Sequence, residues 1–274
     1  MLEATPKWAI ATKNLSNETF AEKELCKVPT WEGGRPDLFV GCIPEHHTWA
    51  FYNAPGVPRL HAIHSSDPGD MGGDPSGLDI IGFQRSGLEI AERSFRVRST
   101  TFVSLWYEPK PMWSWGSGQP FSIMSRPWHR KPTTQDRMKL AMSTIVGMKL
   151  YGEGQPHGFL TEGKTAVMKS ASCYVSMVGL EGGFGLSEHE AMAMGCPIIA
   201  RRWGDMAVDF PKYPGFADSD DHLIALANAC ASDEKFARSL SESCLDYVAK
   251  FRTRQKFEDS VGMILDRFCP KKSS

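Results

Sequence analysis

No stretch of this chain approaches the roughly 18 consecutive apolar residues that a membrane-spanning helix requires. The N-terminus has no basic region followed by an apolar run, so no secretory signal is read there. The seven cysteines are scattered, with no Cys-x-x-Cys pair. An odd number without metal-ligand spacing points to reduced, mostly buried thiols in a cytoplasmic protein. Charge of one sign is not in excess, since the net charge is −1, and this gives no general case for a nucleic-acid partner. The local clusters Arg93, Arg96, Arg98 and Arg126, Arg130, Lys131 read first as solvated surface. There is no internal repeat. What remains is a chain of 274 residues, 41% hydrophobic and 23% charged, long enough for one large domain or two modest ones with proper cores.

The chain alternates short apolar runs with amphipathic stretches. Strands are expected at Trp8–Ala11, Asp37–Val40, Pro58–Ile63, Leu78–Ile81, Thr100–Leu105, Phe121–Met124, Met148–Tyr151, Cys173–Ser176 and Ile198–Ala200. Helices are expected at Asn17–Leu25, His46–Tyr52, Ser86–Ser94, Thr133–Ile145, Gly163–Ser172, Ser187–Met194, from Asp218 or Ser219 onward, Asp233–Phe251 and Gln255–Phe268. Strands alternating with helices argue for parallel sheets, whose ligands sit beyond the carboxyl ends of the strands. Segment 110–119, with its prolines and glycines, reads as a linker, giving an expected division into residues 1–115 and 116–274. Trp106, Trp113 and Trp115 beside it could stack on a sugar or base, or pack at the junction.

One stretch carries most of the chemistry. Glu181-Gly182-Gly183-Phe184-Gly185 runs into a short helical segment, Ser187–Met194. Gly195 ends that helix and Pro197 opens a buried strand. Glycines let backbone N–H groups approach a ligand, and a helix start leaves N–H groups unpaired, so the pair is suited to phosphate. The carboxylates of Glu181 and Glu190 repel phosphate but accept hydrogen bonds from sugar hydroxyls. The combined reading is a phosphate that carries a sugar. A purely structural alternative stands beside it: Ser187 with Glu190 three residues on is also a capping box.

The pattern Phe184-Gly185-Leu186-x-x-x-Glu190-Ala191-Met192-Ala193-x-Gly195-x-Pro197 resembles the donor-site motif of retaining glycosyltransferases with the GT-B fold, family 4 above all. Glu181 and Glu190 lie nine residues apart, where the family usually has eight, and Ser187 stands where proline is common. Ser125-Arg126 with Lys131 five residues on resembles the family's Gly-Arg followed by lysine. Gly56-Val57-Pro58 and a strand ending in His64 resemble its N-terminal half. The Gly-Gly loop usual after the first strand is replaced by Thr12-Lys13-Asn14.

The resemblance implies an α/β protein of the GT-B class, with two Rossmann-like domains facing a cleft, a reduced N-terminal domain and a last helix crossing back to it. It implies transfer of a sugar from a UDP- or GDP-sugar with retention, no metal site and no cofactor beyond the donor. Arg126 and Lys131 would bind the diphosphate with Gly183, Phe184, Gly185 and Leu186. Glu190 would hold the ribose, Glu181 the sugar hydroxyls, and His64 would face the sugar from the opposite domain. The acceptor stays open between a glycan, a lipid and a modified base in DNA. A nucleotide-sugar epimerase and a non-catalytic nucleotide-sugar binder are the other readings of the same fold.

Overall fold

A computed structural model describes residues 38–41, 56–63, 74–116, 118–123, 132–152, 154–158, 160, 163–177, 185–202 and 204–269. In chain order these form β1 (Phe39–Gly41), β2 (Arg59–Ile63), β3 (Asp79–Gly82), α1 (Arg85–Ser94), β4 (Ser99–Phe102), β5 (Phe121–Ile123), α2 (Pro132–Thr144), β6 (Lys149–Tyr151), α3 (Lys164–Ser170), β7 (Tyr174–Val175), α4 (Leu186–Ala193), β8 (Ile198–Arg201), α5 (Gly204–Asp209), β9 (Phe216–Ala217), α6 (Asp220–Ser232), α7 (Glu234–Phe251) and α8 (Arg254–Phe268). The strand expected at Trp8–Ala11 and the helices at Asn17–Leu25 and His46–Tyr52 lie outside the described residues.

Two parallel sheets result. The first has the order β1-β2-β3-β4 and the second β6-β5-β7-β8-β9. The second is a doubly wound order in which the chain reverses direction across the sheet between β5 and β7. Phe121 pairs with Tyr174 there, so β5 and β7 end on the same edge.

Side-chain alternation explains how the first sheet is covered. Leu60, Ala62 and Ile81 cluster with Val103 and with Ile264 of α8. Ile63 and Ile80 cluster with Leu88 and Ala91 of α1. The last helix of the chain therefore packs on the first sheet. Arg267 of α8 adds a charged contact to the buried Asp79 (3.4 Å), which Arg98 and Ser99 also bind at 3.0 and 2.5 Å. The second sheet has a larger core. It takes in Met192 of α4, Leu223 and Ala227 of α6, and Leu240, Tyr247 and Val248 of α7. Cys173, Cys196, Cys230 and Cys244 are buried free thiols in it.

Local signals explain most boundaries, and three depart from expectation. Ser86 does not cap α1: the cap is Gln84, and the buried Ser86 hydroxyl has no hydrogen-bond partner among the described residues. Between the strand expected at Ile198–Ala200 and the helix expected from Asp218 or Ser219, where no element is predicted, lies helix α5, anchored by the buried Asp205 and Met206. A short strand, β9, pairs with β8 where the sequence predicts none, being too brief for a periodic signal. Elsewhere Ser219 caps α6 by accepting from the His222 N–H, as its position before the apolar face predicts.

Segment 103–120 crosses the second half as an extended strap. The N–H groups of Lys110, Met112 and Trp113 donate to Ala193 and Met194 carbonyls, and Ser114 N–H to Lys169 O. These are carbonyls that the ends of α4 and α3 cannot satisfy internally. The Trp113 and Trp115 indoles donate to Ala171 O (2.7 Å) and Cys230 O (3.3 Å). Both rings are partly buried against the core of the second sheet.

Candidate functional site

The chain leaves β5 after Ile123 and β7 after Val175 at the point where the second sheet changes direction. In doubly wound sheets this crevice is where ligands bind. The segment after β5 carries Arg126 and Lys131, and the segment after β7 carries Glu181, Gly183 and Phe184. All five lie outside the described residues, as does His64, which directly follows β2. Gly185, Leu186 and Glu190 are described.

Helix α4 starts with Gly185 as its N-cap. Glu188, the third helical residue, is buried. Its Oε2 accepts from the Gly185 N–H at 3.1 Å, and its Oε1 accepts from the Ser176 hydroxyl at 3.1 Å. Glu188 thus welds the helix start to the residue just past β7. A side chain at position 185 would stand 3.0 Å from that carboxylate, which accounts for glycine there. The box expected between Ser187 and Glu190 does not form, because the N-cap is Gly185, two residues earlier, and the third helical position falls on Glu188. This also corrects the role of the Gly185 N–H, which is taken by Glu188. Leu186, the first helical residue, has no acceptor within the helix for its own N–H. It is 62% exposed.

Glu190 is therefore not a cap. Its side chain is 43% exposed and forms an ion pair with Lys164 at the start of α3. Lys164 is a residue that sequence reasoning missed: nothing in the spacing of positions 164 and 190 says that α3 and α4 bring them together. At the far end, Gly195 has φ 79°. Cys196 N–H bonds to Ala191 O and Gly195 N–H to Met192 O, the Schellman arrangement anticipated from the glycine.

Behind the helix start lies an aromatic wall. His189 is buried, and its Nδ1 lies 2.8 Å from Gly185 O. Because a carbonyl can only accept, Nδ1 carries the proton. The ring stacks on Tyr107 at 5.3 Å and 7°, with Tyr247 at 6.4 Å. Burial, followed by the positive charge of Arg252, holds the imidazole down at about 3. Burial, followed by the carboxylate of Glu190, pushes the Tyr107 phenol up to about 12. The wall is neutral at ordinary pH and leaves Glu190 the charged group facing outward.

Asp218-Ser219-Asp220 is an Asp-x-Asp triplet, a spacing that can hold a metal, yet its carboxylates are engaged otherwise. Asp220 receives Arg137 and Arg201 at 2.7 Å each, and Asp218 receives Arg202 at 3.2 Å. Among the described residues no group of three His, Cys, Asp or Glu side chains is arranged to hold a metal. Nor is any described helix long and apolar enough to cross a membrane.

The fold is that of an α/β protein of the GT-B class, with two parallel Rossmann-like sheets. No protein-family model and no curated protein matches the chain. Solved structures do. TarM from S. aureus, in a complex with UDP, α-GlcNAc-glycerol and fondaparinux, superposes with a TM-score of 0.64 at 15% identity over 84% of this chain. Sucrose-phosphate synthase from Thermosynechococcus elongatus superposes with 0.65 at 15% identity over 86% of this chain and 74% of that one. HepE from Anabaena, bound to UDP and glucose, gives 0.61 at 12% identity, covering 84% and 78%. This chain spans 55% of the TarM chain.

Proposed function

We propose that this protein is a retaining glycosyltransferase that takes its sugar from a UDP-sugar. The observation that carries the reading is the outward, half-exposed carboxylate of Glu190 on α4, the helix that follows β7 where the second sheet reverses; Arg126 and Lys131 follow β5 in sequence and Glu181 follows β7. UDP as the nucleotide draws support from the UDP bound in the TarM and HepE structures.

In this reading Glu190 exchanges its ion pair with Lys164 for the two ribose hydroxyls. Arg126 and Lys131 neutralise the diphosphate without a metal, Arg as a bidentate donor and Lys as a point charge. The Leu186 N–H and the helix start add positive potential. These groups matter most as the glycosidic bond breaks, because negative charge then grows on the departing diphosphate. Glu181 holds sugar hydroxyls, and His64 supports the positive charge developing on the sugar from the opposite half.

The test is calorimetric titration of UDP into the full chain, paired with turnover of UDP-sugars. Glu190→Ala is expected to weaken UDP binding about tenfold, or about 1.4 kcal/mol. Arg126→Ala or Lys131→Ala is expected to lower kcat/KM by about 10²–10³. His64→Ala should lower kcat more than donor affinity. Wild-type UDP affinity in Glu190→Ala would remove the site from α4, and NMR of the product anomer decides retention.

A further inference from the structure

A pocket lies where α1, α5 and α8 meet around the end of β4. It is a cavity of about 220 Å³ walled by Arg85, Phe102, Asp209, Phe251, Arg252 and Lys256. Its charges do not balance. Arg85 is bound to Asp209 at 2.8 Å and lies over the Phe102 ring at 4.4 Å. Lys256 rests its ammonium on the Phe251 ring at 4.8 Å and has no carboxylate partner among the described residues. Arg252 is 2% exposed. Its Nε has no hydrogen-bond partner among the described residues, while Nη2 has only a long ion pair and the guanidinium lies beside the Tyr247 ring. Its charge partner is Asp205 at 3.5 Å, and Ser104 Oγ lies 3.5 Å from Nη1. Asp205 in turn spends its Oδ1 on the Arg85 backbone N–H at 2.9 Å.

Three cations therefore face two carboxylates. A buried guanidinium with unmatched donors is costly, and a fold retains one more readily where an anion completes it. Phosphate fits better than a carboxylate: it offers oxygens to several cations at once and carries about two charges, while guanidinium forks suit it. The cavity stands beyond the carboxyl ends of β3, β4 and β8, where such sheets bind ligands.

We propose that this cavity binds a small phosphate-bearing anion that ties the two halves of the molecule together. Arg85 comes from the first sheet's helix, Asp209 from the second's, and Arg252 and Lys256 from the crossover into α8. The anion bridges Arg85 to Arg252 and Lys256, while Asp209 stays paired with Arg85 and so links the second half to the same cluster. None of the residues overlaps those assigned to the UDP-sugar, so the site stands or falls independently of that assignment.

The experiment is titration of the full chain with inorganic phosphate and, separately, with glycerol phosphate, followed by phosphorus NMR and by thermal unfolding. Wild-type protein is expected to bind saturably and to gain stability with ligand. Lys256→Glu and Arg85→Ala, which alter residues with exposed or half-exposed side chains, should each weaken binding at least tenfold. Arg126→Ala should leave it unchanged. Preference for glycerol phosphate over phosphate would mark a phosphorylated metabolite; the reverse would mark the free ion. Absence of saturable binding overturns the proposal. So does binding that survives Lys256→Glu and Arg85→Ala, or is lost only in Arg126→Ala, because the anion then sits elsewhere.

Discussion

Two glutamates two residues apart on α4 do opposite work. Glu188 is buried and satisfies the Gly185 N–H and the Ser176 hydroxyl. Glu190 is exposed and pairs with Lys164. Removing Glu188 strands two polar groups, so Glu188→Ala should cost about 1–3 kcal/mol in denaturant unfolding. Removing Glu190 breaks only a surface pair, worth about 0–1 kcal/mol. The expected outcome is a crossed pattern: Glu188→Ala is destabilised, while Glu190→Ala stays stable but binds UDP poorly. His189 supplies a pH signature. Its proton affinity is lowered on folding, from 6.5 to about 3. The unfolded chain therefore binds the extra proton between those values, and stability should fall as pH drops below about 6.5. A tenfold change in proton affinity is worth about 1.4 kcal/mol. His189→Phe keeps a ring against Tyr107 and should show a shallower loss of stability as pH falls from 6.5 toward about 3. Equal slopes in wild type and variant would show that the imidazole is not held neutral.

Among the elements, the strap 103–120 has the largest effect for its length. It closes the carboxyl end of α4 through Ala193 and Met194 and that of α3 through Lys169. The two helices that carry Glu190 and Lys164 are thus both held at their carboxyl ends by one segment. The strap passes so close to α3 that a Cβ on Gly118 would meet Ser170 O at 1.5 Å. Only backbone movement relieves that contact. Gly118→Ala should lower stability by at least about 2 kcal/mol by thermal or denaturant unfolding. If the strap also positions α3, UDP binding should weaken in the same variant.

Over the whole molecule, continuity between the halves depends on α8. The first sheet has α1 on one face, and the last helix in sequence supplies Ile264 to the other. Ile264→Ala should cost about 2–5 kcal/mol as a cavity in a small core. The loss should appear first as faster amide exchange in β2 and β3, with β7 and β8 less affected. Uniform acceleration across both sheets would show that the halves unfold as one unit.

Chain order, strand and helix types and the Gly195 stop were legible in the sequence, because each rests on local chemistry: alternation, caps and glycine freedom. The same locality misled at Ser86 and at Ser187 with Glu190, where a cap was expected but lies two residues earlier, at Gln84 and at Gly185. Contacts between residues distant in the chain were decided by tertiary structure alone. Glu190 with Lys164, Arg252 with Asp205 and Ile264 with Leu60 are brought together by the packing of whole elements, and no local spacing encodes which faces will meet.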